Sequence, residues 1–349
     1  MIFTSDNWAG AHPAIAASLN AHAAGFAPAY GTSELDRKVE ATFNEIFDRE
    51  VAVFFVGTGT AANSLALSSV NRPGGVVFCH HDAHVIADEC GAPEFFSHGS
   101  RLAPVAGTDG KIDPAALEAE IARYPKEFIH AGQPMAVTLT QATEAGTVYR
   151  PDEIRAISEI AKAHGLPLHM DGARFANALV ALDLSPAEMT ADLGIDILSF
   201  GGTKNGCWCA EALVFLDPGM ATQAPFIRKR AAQLFSKSRF IAAQFDAYFA
   251  DDLWLEIARH ANRMAERLQE GLLASGNARL AWKCDANEIF PILPKAKAVE
   301  LRSEGAMFYD WSTPRPYRNL VAEDEGMFRL VTSFATTETD VDRFIEVLG

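Results

Sequence analysis

Leu168-His169-Met170-Asp171-Gly172-Ala173-Arg174 and Ile195-Asp196-Ile197-Leu198-Ser199-Phe200-Gly201-Gly202-Thr203-Lys204 are two short, mostly apolar runs, each closing on charged residues near glycine. Runs of this length, bounded by glycine, read as buried strands. Asp171 and Lys204 then project from strand ends, where open α/β sheets bind their ligands. Working outward, Val51–Val56, Gly75–Cys79, Ala136–Thr140 and Ala210–Leu216 also read as strands. Thr60–Val70, Pro114–Tyr124 and Pro151–His164 read as helices between them, with Asp113 as an N-cap and Pro151 near a helix start. Alternation of this kind predicts an α/β fold with a mainly parallel sheet wrapped by helices.

From about Phe226 the texture changes. Long helical patterns run through Arg228–Ala250 and Asp252–Ser275. Shorter strand candidates follow at Glu288–Leu293, Ala306–Trp311 and Met327–Ser333, then a last helix at Glu338–Leu348. The expected division is a large α/β domain over 1–245 and a smaller α+β domain over 246–349. A chain of 349 residues is in keeping with two domains.

The formal charge of −15 argues against a nucleic-acid surface, which needs clustered Lys and Arg. It does not exclude a small anionic ligand, since helix N-termini and local arginines set the field there. Five cysteines with no framework spacing point to a reducing compartment. The first residues lack a basic segment followed by an apolar stretch, and runs such as Val51–Val56 are far short of a membrane span. The expectation is a cytoplasmic protein.

Several residues carry possible chemistry. A lysine such as Lys204, at a glycine-lined strand end, can form a Schiff base where partial desolvation keeps it neutral; a solvated loop lysine is the ordinary alternative. Asp171 can face a pyridinium nitrogen and keep it charged, or cap a helix expected over Arg174–Ala181. Together an amine and a carboxylate are the minimal equipment for pyridoxal phosphate (PLP). Arg174 can fork onto a carboxylate or form a surface ion pair. Gly57-Thr58-Gly59-Thr60-Ala61-Ala62-Asn63-Ser64 joins a strand to a helix and suits a phosphate, but matches no nucleotide motif. In Cys79-His80-His81-Asp82-Ala83-His84, the imidazole of His84 is the candidate to lie over an aromatic cofactor and exchange protons. His80 and His81 read as structural or surface residues. Cys207 and Cys209 form a C-x-C without a second pair at ligand spacing, so no metal is expected.

With these segments in place, the chain resembles the PLP-dependent threonine aldolases, of the beta-eliminating-lyase branch of the fold type I, aminotransferase-like superfamily. The resemblance runs through Ser5-Asp6-Asn7, Ala29-Tyr30-Gly31, Gly57–Ser64, Asp82-Ala83-His84, Asp88–Glu94, His169–Arg174, Ser199–Gly206 and Phe328-Arg329-Leu330-Val331-Thr332. It implies Lys204 as the Schiff-base lysine, Asp171 as partner of the ring nitrogen, Gly59 and Thr60 at the phosphate, and His84 stacked on the ring. Ser5, Arg174 and Arg329 would hold the substrate carboxylate. Tyr30, Arg230 and Lys237 would approach across a subunit interface, although Arg228–Phe240 departs from the glycine-rich form common in the family. A homotetramer built from dimers with shared sites is implied.

Another departure lies at Thr140-Gln141-Ala142-Thr143-Glu144. Many relatives carry histidine where Glu144 aligns, near the substrate's β-substituent. Glu144 is therefore a candidate to contact or deprotonate the β-hydroxyl, directly or through water. The implied reaction is aldol cleavage of L-threonine, L-allo-threonine or a related β-hydroxy-α-amino acid to glycine and an aldehyde. Phenylserine or 3-hydroxyaspartate as substrate, β-elimination, and a non-catalytic binding protein are the alternatives.

Overall fold

The computed structural model covers residues 1–349 and describes all of them except the side chains of Arg315 and Pro316. Its centre is a seven-stranded sheet: β1 (Ala52–Val56), β2 (Gly75–His80), β3 (Arg101–Val105), β4 (Gln133–Thr140), β5 (Leu168–Gly172), β6 (Ile197–Gly201) and β7 (Glu211–Phe215). Their order is β1-β7-β6-β5-β4-β2-β3. The inner neighbours pair in parallel; only β7 runs antiparallel to the strands beside it. The expected mainly parallel α/β sheet is present.

β5 and β6 are buried along their whole length, which explains their continuous apolar character. Asp171 pairs with Ser199 and Gly172 with Phe200, so the two quoted segments lie side by side. Phe200 anchors that pair in an aromatic cluster, with ring centroids 5.3 Å from Phe43, 5.5 Å from Phe175 and 5.8 Å from Trp254. The alternate side chains form a polar row. His169 is buried between Thr138 Oγ1 (2.8 Å) and Ser199 Oγ (2.9 Å), and burial pushes its pKa down to about 4, leaving a neutral imidazole below Asp171.

At the other end of the chain, short strands Arg279–Leu280, Glu288–Ile289, Pro291–Pro294, Tyr309–Asp310 and Glu325–Val331 form a second, antiparallel sheet. It packs with the helices Leu253–Ser275 and Glu338–Leu348 around Phe3, Leu268, Leu330 and Phe344. The helix Leu253–Ser275 serves both cores: Trp254 and Ile257 belong to the first, Met264 and Leu268 to the second. Residue 245 lies within the helix Arg239–Phe249, which packs into the first core.

Three sequence expectations need correction. The continuous helix over Arg228–Ala250 is two helices, Ala224–Arg230 and Arg239–Phe249. The break follows from long-range contacts: Ala232 takes a positive φ of 58° and Gln233 Oε1 accepts from Gly57 N at 3.0 Å. Ser238 Oγ accepts from Gly31 N at 2.7 Å. The run Glu288–Leu293 is likewise divided at Phe290, because Pro291 has no N–H for a continuous ladder. Of Ala306–Trp311, only Tyr309–Asp310 enters the sheet.

Candidate active site

Two adjoining cavities open at the carboxyl ends of β4, β5 and β6. The inner one, about 330 Å³, is lined by Gly57–Thr60, Asn63, His84, Glu144, Asp171, Arg174 and Lys204, among others. The outer one, about 1150 Å³, shares His84, Glu144, Arg174 and Lys204 and adds Ser5, Glu288, Trp282 and Arg329. Asp171, Glu144, His84 and Lys204 converge because each stands at the end of a central strand or just after it, whereas Asn63 comes from the helix Gly59–Ser69 and Arg329 from the second sheet.

Gly201 has a steric role in this convergence: a Cβ there would stand 2.5 Å from the Ala173 carbonyl oxygen. Glycine thus lets the loop after β5 lie against the strand that leads to Lys204. Glu211 supports the same turn, accepting from Gly202 N at 3.1 Å. Burial pushes its pKa up to about 7.

The helix Gly59–Ser69 begins at the inner cavity. Thr58 caps it, its Oγ1 accepting from Ala61 N at 3.1 Å. As first-turn residues, Gly59 and Thr60 have amides with no intrahelical acceptor, and the space beside Gly59 is open for at least 4 Å. These are the features of an anion site.

Asp171 does not cap the following helix, which starts at Phe175 after Arg174. Its Oδ1 accepts from Ala173 N at 3.0 Å, and its Oδ2 accepts from Asn63 Nδ2 at 2.8 Å. The same Asn63 nitrogen donates to Glu89 Oε1 at 2.8 Å, and His84 Nδ1 lies 2.9 Å from that oxygen. A hydrogen-bond chain thus joins Asp171, Asn63, Glu89 and His84. The bond to Glu89 raises the pKa of His84, and burial raises that of Glu89, so the pair holds its proton tightly. Neither Asn63 nor Glu89 was singled out from the sequence. The available signal was an asparagine inside an Ala/Leu-rich helix, where a polar side chain needs a reason.

Glu144 sits where the cavities meet. Its Oε1 accepts from His84 N (2.7 Å) and Thr140 Oγ1 (2.8 Å), whereas its buried Oε2 has no partner among the described residues. Burial, then the nearby Asp171, pushes its pKa up to about 7.

Arg174 is partly buried and held by two acids: Nε and Nη2 donate to Asp6 at 2.7 and 3.1 Å, and Nη1 meets Glu288 at 2.7 Å. Arg329 faces the same cavity, and Ser5 lines it while accepting from Asn7 N. Tyr30, Arg230 and Lys237 line neither cavity. They share another surface, where Tyr30 N donates to Ser236 O (3.2 Å) and Lys229 Nζ stands 5.6 Å from the Tyr30 ring centre. His80 is buried with its pKa pushed down to about 4, chiefly by burial, while His81 is exposed. Their ring nitrogens and the Asp82 carboxylate lie within 4.8 Å of one another. The cysteines Cys207 and Cys209 are free thiols. Among the described residues, no helix is long and apolar enough to cross a membrane.

An open helix start for a phosphate, a carboxylate below it and a lysine at the cavity wall fit PLP. Comparison with known proteins points to one family. The beta-eliminating lyase family model matches residues 3–290. The chain is 41% identical over 345 residues to a low specificity L-threonine aldolase of Pseudomonas aeruginosa, covering 99% of this chain and 95% of the relative. It is 43% identical over 307 residues to one from a Pseudomonas species, covering 88% of each. A solved Leishmania major threonine aldolase superposes with a TM-score of 0.92 at 31% identity, covering 99% of this chain and 98% of that one. With the sheet, the strand-end lysine and aspartate and these relatives in agreement, the chain belongs to the beta-eliminating lyase family, in its threonine aldolase branch, and has the α/β fold of the type I PLP-dependent enzymes.

Proposed function

We propose that the protein is a PLP-dependent carbon–carbon lyase, a low-specificity L-threonine aldolase. It cleaves L-threonine, L-allo-threonine or a related β-hydroxy-α-amino acid to glycine and an aldehyde. The observation that carries this is the juxtaposition of Lys204, Asp171 and the open start of the helix Gly59–Ser69 around one cavity. When bound, PLP supplies an electron sink for the pair left at Cα as the Cα–Cβ bond breaks.

The chain's own groups do the rest. Lys204 offers the amine that anchors the cofactor's carbonyl. Asp171, fixed by Asn63 and Ala173 N, would keep the ring nitrogen protonated. Gly59 and Thr60 amides would receive the phosphate, and His84 would hold the ring. Arg329 and Ser5, with Arg174 behind them, orient the α-carboxylate. Fixing that substituent decides which bond at Cα is aligned for cleavage. Glu144, whose buried Oε2 has no partner among the described residues, takes the β-hydroxyl proton, directly or through a water shared with His84.

Tyr30, Arg230 and Lys237 complete a neighbouring subunit's site in a homotetramer of dimers. The exposed aromatics Phe26, Tyr30, Phe226 and Phe235 support a covered surface. The five free thiols favour a reducing compartment, the cytoplasm. We keep the division into a large α/β domain (1–245) and a small α+β domain (246–349), the helix Leu253–Ser275 joining their cores.

The test is direct. Purified protein supplied with PLP should be yellow and release glycine and an aldehyde from L-threonine, both quantified. A colourless protein indifferent to PLP, or normal turnover by Lys204→Ala, would end the proposal.

A further inference from the structure

One buried acid in the carboxylate-binding corner has no part in the chemistry described above. Glu288 has a side chain only 2% exposed and stands between two arginines. Its Oε2 lies 2.7 Å from Arg174 Nη1 and its Oε1 lies 3.8 Å from Arg329 Nη1. Arg174 does not need it, because Asp6 already takes Nε and Nη2 and is itself held by Asn287 Nδ2 at 3.1 Å. Arg329 has weaker protein partners: Thr4 O at 3.4 Å and the Trp311 ring, whose centre is 4.8 Å away. Glu288 cannot swing aside with its backbone. Its strand pairs with Val331 and Leu330, and its carbonyl packs so closely that a Cβ on Gly146 would come within 2.3 Å.

We propose that Glu288 is a specificity-determining residue, a built-in occupant of the arginine clamp that confines the substrate's α-carboxylate to Arg329 and Ser5 and disfavours substrates carrying a second carboxylate. The inference rests on the aldolase assignment above. A carboxylate arriving at Arg329 meets a like charge inside a cavity where screening is weak. A dianion meets more of the same: Glu144, Asp82 and Asp88 also line the cavity. Among the described lining cations, Arg174 is matched by Asp6 and Glu288, while Arg318 lies at the exposed rim. The cavity therefore suits a β-hydroxy amino acid with an uncharged β-substituent.

Glu288→Gln keeps the shape, removes the charge and leaves Asp6 on Arg174. Calorimetric titration of the PLP-loaded protein with glycine isolates carboxylate binding from bond cleavage. Steady-state kinetics with L-threonine and L-threo-3-hydroxyaspartate then separate monoanion from dianion. We expect the glycine Kd and the threonine KM to fall about tenfold, since charge-assisted contacts of this kind are worth about that much. kcat for threonine should stay within about threefold, because the change acts on binding. For hydroxyaspartate, kcat/KM should rise by a larger factor than for threonine. A folded variant, with unchanged circular dichroism, whose glycine Kd is equal or weaker overturns the inference; so does an equal gain for both substrates. Glu288→Ala serves as second variant and should shift glycine binding in the same direction. If wild-type protein releases glycine from neither substrate, the aldolase assignment fails, while the glycine titration still decides the role of Glu288.

Discussion

Glu144 is the residue whose chemistry differs most between its two oxygens. One is tied to His84 N and Thr140, and the other is buried without a partner. With burial pushing its pKa up to about 7, the carboxyl is protonated below that pH and ionised above it. As a base it works only when ionised, so kcat/KM for L-threonine should rise with pH through about 7. Glu144→Gln should lower kcat/KM by about 10²–10³-fold and remove that limb from the pH profile, measured by coupled aldehyde reduction. Glu211 gives a stability counterpart. Its pKa goes from an ordinary 4.5 to about 7 because of burial, so ionisation is harder in the folded state. Its stabilising, protonated form is fully present below 4.5 and lost as pH rises through about 7. Glu211→Gln should therefore raise Tm by about 2–4 °C at pH 8 and have little effect at pH 4, read by calorimetry. Asp171 and Lys204 were legible in the sequence because strand-ending residues announce themselves by the apolar run before them. Glu211 and Glu288 were not, since their burial depends on which strands lie alongside.

Among the elements, the glycine-bearing turns decide the site's geometry. Gly201 lies so close to the Ala173 carbonyl that added bulk must separate the Asp171 and Lys204 loops. Gly201→Ala should cost about 1–3 kcal/mol of stability, as overpacking usually does, and weaken PLP retention in dialysis more than it weakens the fold. The first residue of the short helix His84–Ala87 is held twice, by Glu144 at the His84 amide and by Glu89 at its ring. Removing the charge in Glu89→Gln takes away the principal cause of the raised His84 pKa, so His84 should titrate at lower pH. Histidine-labelled NMR of the cofactor-free protein reads this directly, and an unchanged titration would show that the bond does not govern the imidazole. These elements also mark the limit of sequence reading. Periodicity identified the helix Glu338–Leu348 in full, because its amphipathic face is a local property. The same periodicity ran straight through Ala231–Ser238, where the chain leaves the helix to place Gln233 and Phe235 against Gly57. Contacts over such separations outweigh local propensity, and no window of neighbouring residues contains them.

For the whole molecule, the arrangement of Tyr30, Arg230 and Lys237 poses a question about assembly. They line neither cavity of their own subunit, and Tyr30 is tied to their segment by Ser236 O and Lys229. The resemblance in sequence implied their approach from a neighbour, and a twofold dimer would give each of two sites one set. Complementation tests this without knowledge of the interface. A Lys204→Ala subunit keeps Arg230 and Lys237 to lend, and an Arg230→Ala/Lys237→Ala subunit keeps Lys204. In a mixed dimer one site receives both intact halves, and the other receives neither. Random re-pairing after reversible dissociation makes half of the dimers mixed, so activity should recover to about one quarter of wild type. Each variant alone should remain nearly inactive. Recovery absent from a mixture shown by mass spectrometry to contain hybrids would mean that each site is complete within its own chain. Arg230 and Lys237 would then be ordinary exposed cations, with Lys229 resting on Tyr30 for packing alone.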